Sequence, residues 1–139
     1  MLSKNLLALI IMILVYILLA IVLFFLGFRF MMFWRMKKQK GKPAPELSGS
    51  YGKAIQQGKP ALFYFYSEHC GACRPMTPII DSLKKDRLPC YKVDITRHMD
   101  VAKKFGVMAT PSTVLVDKGL VREFMIGPQN EATLRGLFR

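Results

Sequence analysis

Cysteine is scarce in this 139-residue chain: three residues, an odd number and too few for a disulfide-stapled scaffold, so one working pair and a bystander is the natural reading. Acidic residues are missing from the first third, since all nine lie after Pro45, where fourteen Lys and Arg accompany them and leave that part near +5. The other seven basic residues are Lys4 and the cluster Arg29, Arg35, Lys37, Lys38, Lys40 and Lys42. Charge of either sign is absent from Asn5 to Phe28. The basic cluster abuts that uncharged run, and bilayer electrostatics account for it, so no nucleic-acid partner is called for. No internal repeat or low-complexity tract interrupts the chain.

The uncharged run is rich in Leu, Ile, Val, Phe and Met, and as a helix it would extend about 36 Å, enough to span a bilayer. A cleaved signal peptide is the competing reading. Its apolar core would be shorter and would end in small residues, whereas this run ends in Phe24-Phe25-Leu26-Gly27-Phe28-Arg29. Phe28, Phe30, Phe33 and Trp34, with Arg29 and Arg35 among them, form the border expected where a helix leaves hydrocarbon for headgroups. Residues 1–34 are therefore read as an anchor in contact with membrane lipid. The flanks are asymmetric, with one lysine before the span and six basic residues between Arg29 and Lys42. The positive-inside rule then places the C-terminal part in the cytoplasm, and an exported domain is the alternative.

Residues 35–47 read as a basic linker in which Pro43 and Pro45 favour extended chain, and residues 48–139 as one domain. Ser50 to Gln57 predicts a short helix closed by Gly58-Lys59-Pro60. Ala61 to Tyr66 is a continuous apolar run, the signature of a strand covered on both faces. A long helix is expected from Cys70 to about Lys85, kinked at Pro78, with Met76, Ile79, Ile80 and Leu83 on one face. Pro89 to Ile95 predicts a strand, Met99 to Phe105 a helix stopped by Gly106, and Ser112 to Val116 and Leu120 to Ile126 a hairpin across Asp117-Lys118-Gly119. Leu134, Leu137 and Phe138 recur at the spacing of a final helix. The order α-β-α-β-α-β-β-α implies an α/β fold, a mixed sheet with helices on both faces.

The chemistry concentrates at Cys70-Gly71-Ala72-Cys73. At the N-terminus of the expected helix, unpaired N–H groups and the helix dipole would favour a thiolate on Cys70. Cys73 would follow within the first turn, near enough to attack a mixed disulfide formed at Cys70. Cys90 reads as a small apolar residue at a strand start. A metal site would have to recruit Cys70, Cys73, Cys90 and His69 or His98 without a compact second ligand pair, so neither metal nor cofactor is expected.

From about Ser48 onward the chain resembles the thioredoxin family: Cys70-Gly71-Ala72-Cys73 after a central strand, Pro78 five residues on, Ala109-Thr110-Pro111-Ser112 before the hairpin and Gly127 after it. The resemblance implies a thioredoxin-like fold with Cys70 as exposed nucleophile and Cys73 as buried resolving thiol. It also implies that Pro111 is cis and that the backbone of Thr110 pairs with a substrate peptide as an added strand. Three positions depart from the family. His69 replaces the tryptophan before the first cysteine, either stabilising the thiolate when protonated, or shuttling a proton at neutral pH, or standing as a polar residue on the rim. Tyr64 occupies the place of a buried aspartate, although Lys92 matches the lysine that accompanies it; proton transfer at Cys73 must then use water, Tyr64 or another group. Gly71-Ala72 replaces Gly-Pro, a dipeptide that tunes the redox potential. The expected activity is reduction or exchange of disulfides in protein substrates, supplied by an upstream dithiol electron donor. A tethered binding or assembly module without turnover is the alternative from another class, and export would turn the role to oxidation, isomerisation or cytochrome maturation.

Overall fold

The computed structural model describes residues 2–139; Met1, the first residue of the expected anchor, and the side chains of Leu2, Met36 and Lys37 lie outside the described part. The chain divides after Arg35 into two compact units. In the first, helix α1 (Leu2–Lys37) begins, and its large apolar side chains from Leu6 to Trp34, the half-buried Met32 apart, stand exposed. At 36 residues it is about 54 Å long, and Ser3–Arg35 is long and apolar enough to cross a membrane by length and composition.

The second unit holds α2 (Gly49–Gln56), β1 (Ala61–Tyr66), α3 (Thr77–Lys85), β2 (Cys90–Asp94), α4 (Met99–Phe105), β3 (Ser112–Asp117), β4 (Leu120–Ile126) and α5 (Glu131–Gly136), the order expected from the sequence. The sheet runs β2-β1-β3-β4, with β1 and β2 parallel and the other neighbours antiparallel. A strand's side chains alternate between faces, and in β1 both faces are covered. Ala61, Phe63 and Phe65 pack with Ala54 of α2 and Val101, Ala102 and Phe105 of α4, while Leu62 and Tyr64 pack with Ile80 and Leu83 of α3 and Leu134 of α5. That double burial is why β1 reads as an unbroken apolar run rather than an alternating one. The hairpin turns on Lys118 and Gly119, both at positive φ (52° and 74°), and Asn130 caps α5 by accepting from the Thr133 N–H at 2.8 Å.

Two stretches depart from the sequence reading. The helix expected from Cys70 to Lys85 is broken: Gly71–Cys73 form one 3₁₀ turn and the α-helix starts only at Thr77. Pro75 and Pro78 lack the N–H groups that would donate to the carbonyls of Gly71 and Arg74, so the α-helical ladder fails there. The Gly71 carbonyl instead accepts from Arg74 at 3.3 Å, and Pro78 is left in the first turn of α3, where no donor is required. Residues 41–44, within the stretch read as linker, pair along the outer edge of β4. Gly41 N–H donates to Val121 O (2.7 Å), Val121 N–H to Lys42 O (2.9 Å) and Ala44 N–H to Gly119 O (2.8 Å), and Lys40 forms an ion pair with Glu123. The pairing covers a sheet edge that would otherwise present open backbone groups.

Candidate active site

Beyond Tyr66 the chain leaves β1 through Ser67, Glu68 and His69 and reaches the cysteines. Cys70 N–H donates to Ser67 O and Cys73 N–H to Cys70 O, each at 3.1 Å, and Cys70 and Cys73 are joined as a disulfide with Cα atoms 5.3 Å apart. Cys70 is half-buried, whereas Cys73 is 2% exposed among Met76, Ile80 and Tyr64. One sulfur thus meets solvent and the other lies in the core. Cys70 caps a three-residue 3₁₀ turn rather than an α-helix, so the helix dipole expected behind it is replaced by a few local peptide groups.

Tyr64 is fully buried, and its hydroxyl reaches Cys73 O (3.1 Å) and Thr77 Oγ1 (3.2 Å), while Thr77 Oγ1 donates to Cys73 O at 3.1 Å. The Cys73 carbonyl accepts the Met76 N–H at 3.1 Å within the turn, and these two hydroxyls add side-chain donors to it. Burial pushes the Tyr64 hydroxyl above its ordinary value of 10.0, with the Thr77 hydrogen bond opposing in part. It therefore holds its proton at neutral pH and acts as a donor.

Lys92 lies opposite Tyr64 in the β1–β2 register. Its ammonium turns to the Asp81 carboxylate on α3 (3.1 and 3.4 Å) and lies 5.5 Å from the centre of the Tyr66 ring. A cavity of about 490 Å³ opens beside the disulfide, lined among others by Tyr66, Glu68, Cys70, Cys73, Thr77 and Asp81. Asp81 and Thr77 escaped the sequence reading; the signal was their spacing of four and eight residues from Cys73, one ridge of a helix.

Of the other residues singled out by sequence, His69 is exposed and its N–H donates to Ser67 Oγ at 3.3 Å; Gly71 and Ala72 are exposed in the turn. The Thr110–Pro111 peptide bond is cis, and Pro111 is buried. β3 starts at Ser112, opposite Phe65, so this bond lies at the end of the sheet where β1 gives way to the cysteine loop. Cys90 is buried at the start of β2, and burial pushes its thiol up to about 11. Among the described residues no group of three or more His, Cys, Asp or Glu is arranged to hold a metal.

Burial both raises the Cys90 thiol pKa and closes the sulfur off from reagent. After reduction of the native protein, peptide mapping should find Cys90 unmodified by iodoacetamide and alkylated only once the chain is unfolded. Rapid native labelling of Cys90 would contradict its burial.

A disulfide at the end of a central strand, a cis-proline before the next strand and a four-stranded mixed sheet between helices define a thioredoxin-like fold. The thioredoxin family model matches residues 44–138, and the chain belongs to that family. Among curated proteins it is similar to the chloroplastic M-type thioredoxins of Pisum sativum (33% identical over 78 residues, 54% of this chain and 45% of the relative) and Zea mays (33% over 81 residues, 56% and 48%). It spans about half the length of these relatives. Among solved structures it is similar to Fasciola hepatica thioredoxin (TM-score 0.57, 28% identity, covering 63% of this chain and 88% of that one). It is also similar to oxidised mitochondrial thioredoxin 3 of Saccharomyces cerevisiae (TM-score 0.56, 28% identity, 63% and 84%).

Proposed function

We propose that this chain is a membrane-anchored thiol–disulfide oxidoreductase that reduces disulfides of protein substrates at the cytoplasmic face of a membrane. The observation that carries the reading is the pairing of a half-exposed Cys70 with a buried Cys73 in one disulfide at the edge of a cavity. In the reduced state the Cys70 thiolate attacks a substrate disulfide, a mixed disulfide forms, and Cys73 attacks the Cys70 sulfur to release the reduced substrate. The substrate peptide lies extended beside Thr110 and Pro111, drawing on backbone groups at the start of β3. An upstream dithiol donor restores the pair. His69, exposed beside Cys70, and the Gly71-Ala72 dipeptide bias the thiolate and the potential.

Anchoring rests on the length and composition of α1, and the cytoplasmic side on the six basic residues that follow the uncharged run. In that compartment thiols are kept reduced, which favours the reducing direction. A membrane-impermeant thiol reagent applied to intact cells after mild reduction, with lysed cells as control, tests the side. Labelling of Cys70 is expected only after lysis. Labelling in intact cells would place the domain outside and turn the role to oxidation or isomerisation.

A further inference from the structure

Resolution of the mixed disulfide requires the Cys73 thiol to lose a proton inside an apolar environment, and the residues around it narrow where that proton goes. Tyr64 cannot take it, because its hydroxyl is a buried donor already engaged with Cys73 O and Thr77. Thr77 is likewise committed to Cys73 O. The cavity that reaches Cys73 carries two carboxylates, those of Glu68 and Asp81. Glu68 is exposed on the loop after β1. Asp81 is half-buried, is held through both carboxylate oxygens by Lys92 from β2, lies one turn after Thr77 on α3 and lines the same cavity as Cys73. Helical side chains tilt toward the N-terminus, which leans Asp81 back toward the cysteines, and the cavity is wide enough for water between them.

Building on the oxidoreductase reading, we infer that Asp81, oriented by Lys92, accepts the Cys73 proton through cavity water during resolution. The Cys73 S–H bond breaks and its proton passes through water to the Asp81 carboxylate. The sulfur electron pair forms the Cys73–Cys70 bond as the bond from Cys70 to the substrate sulfur breaks. The substrate leaves as a thiolate and is protonated from water, and Asp81 returns its proton to solvent. Over the cycle the substrate disulfide gains two electrons and the dithiol loses two. Asp81 touches neither sulfur, so it is a positioning and relay residue. The charged and titratable groups facing it or sharing its cavity are Lys92 from β2, Tyr64 and Tyr66 from β1, Glu68 and Cys70 from the loop, and Arg74 and Cys73 from the turn, with Lys84 and Lys85 following on α3.

The full chain in detergent, reduced and mixed with a chromogenic aromatic disulfide, releases one thiolate on attack by Cys70 and a second on resolution by Cys73. In Asp81→Asn the first phase should keep the wild-type rate. The second should slow roughly tenfold or more and become proportional to added imidazole or acetate buffer, with Asp81→Glu restoring most of the rate. A mere loss of negative charge would act the other way, easing thiolate formation and speeding the second phase. A second phase in Asp81→Asn that is unchanged, faster or indifferent to buffer overturns the inference, as does slowing by Glu68→Gln in place of Asp81→Asn. Wild-type protein showing no two-phase release and no insulin reduction overturns the oxidoreductase reading itself.

Discussion

Replacing Cys70 with serine is expected to abolish insulin reduction by the full chain, a fall on the order of a thousandfold or more, because a reacting group that works as one unit with its partner loses nearly everything when it is removed. Cys70 carries the accessible sulfur, and no second exposed thiol replaces it among the described residues, since Cys73 and Cys90 are both buried. A serine hydroxyl neither ionises near neutral pH nor forms an exchangeable bond to sulfur. Cys73→Ser should behave differently. Attack by Cys70 proceeds, resolution does not, and a substrate adduct accumulates on Cys70 that mass spectrometry detects and dithiothreitol removes. Turnover surviving in Cys70→Ser would sink the assignment of the nucleophile. Retained binding of a protein partner with no turnover even in the wild type would point instead to a tethered binding module.

Tyr64→Ala should cost about 3–5 kcal/mol of stability, the range for removing a large buried aromatic side chain and leaving its cavity. That is a large share of the roughly 5–15 kcal/mol by which a domain is ordinarily stable. Tyr64 has no exposed surface, stacks on Tyr66 with ring centroids 5.4 Å apart, and donates to the Cys73 carbonyl. Tyr64→Phe keeps the ring and loses the hydroxyl. Thr77 still donates to Cys73 O, so the cost should be only about 1 kcal/mol, that of one hydrogen bond with a remaining partner. Pulsed alkylation of Cys90 across a urea series measures both, because that thiol is sealed in the same apolar layer as Tyr64. Equal midpoints for Tyr64→Ala and the wild type would show that the ring is not an anchor.

The two departures from the expected fold bear on the site in different ways. The proline break after Cys73 ends the local helix, and the Cys73 carbonyl, which keeps the Met76 N–H as a backbone donor, gains side-chain donors from β1 and α3. The Tyr64 hydroxyl thereby ties the turn that carries Cys73 to β1 in addition to packing in the core. The pairing of residues 41–44 with β4 closes an outer sheet edge two strands away from β1.

What the sequence determined by itself is what short-range pattern controls. The unbroken apolar run of β1, the stop of α4 at Gly106, the turn at Lys118 and Gly119 and the two-residue spacing of Cys70 and Cys73 all depend on neighbours a few positions apart. Backbone preference and side-chain period act at that range, so those elements could be placed without coordinates. The tertiary structure alone decided which side chains meet across the chain. Lys92, read as the companion of an acid whose place Tyr64 takes, finds its carboxylate on α3 at Asp81; the Tyr64 hydroxyl finds a carbonyl rather than a thiol; residues 41–44 find the edge of β4. Each partner depends on how β1, β2 and α3 are registered and packed. Burial then makes an unpaired polar group costly, so these groups take whichever partner the packing brings within reach.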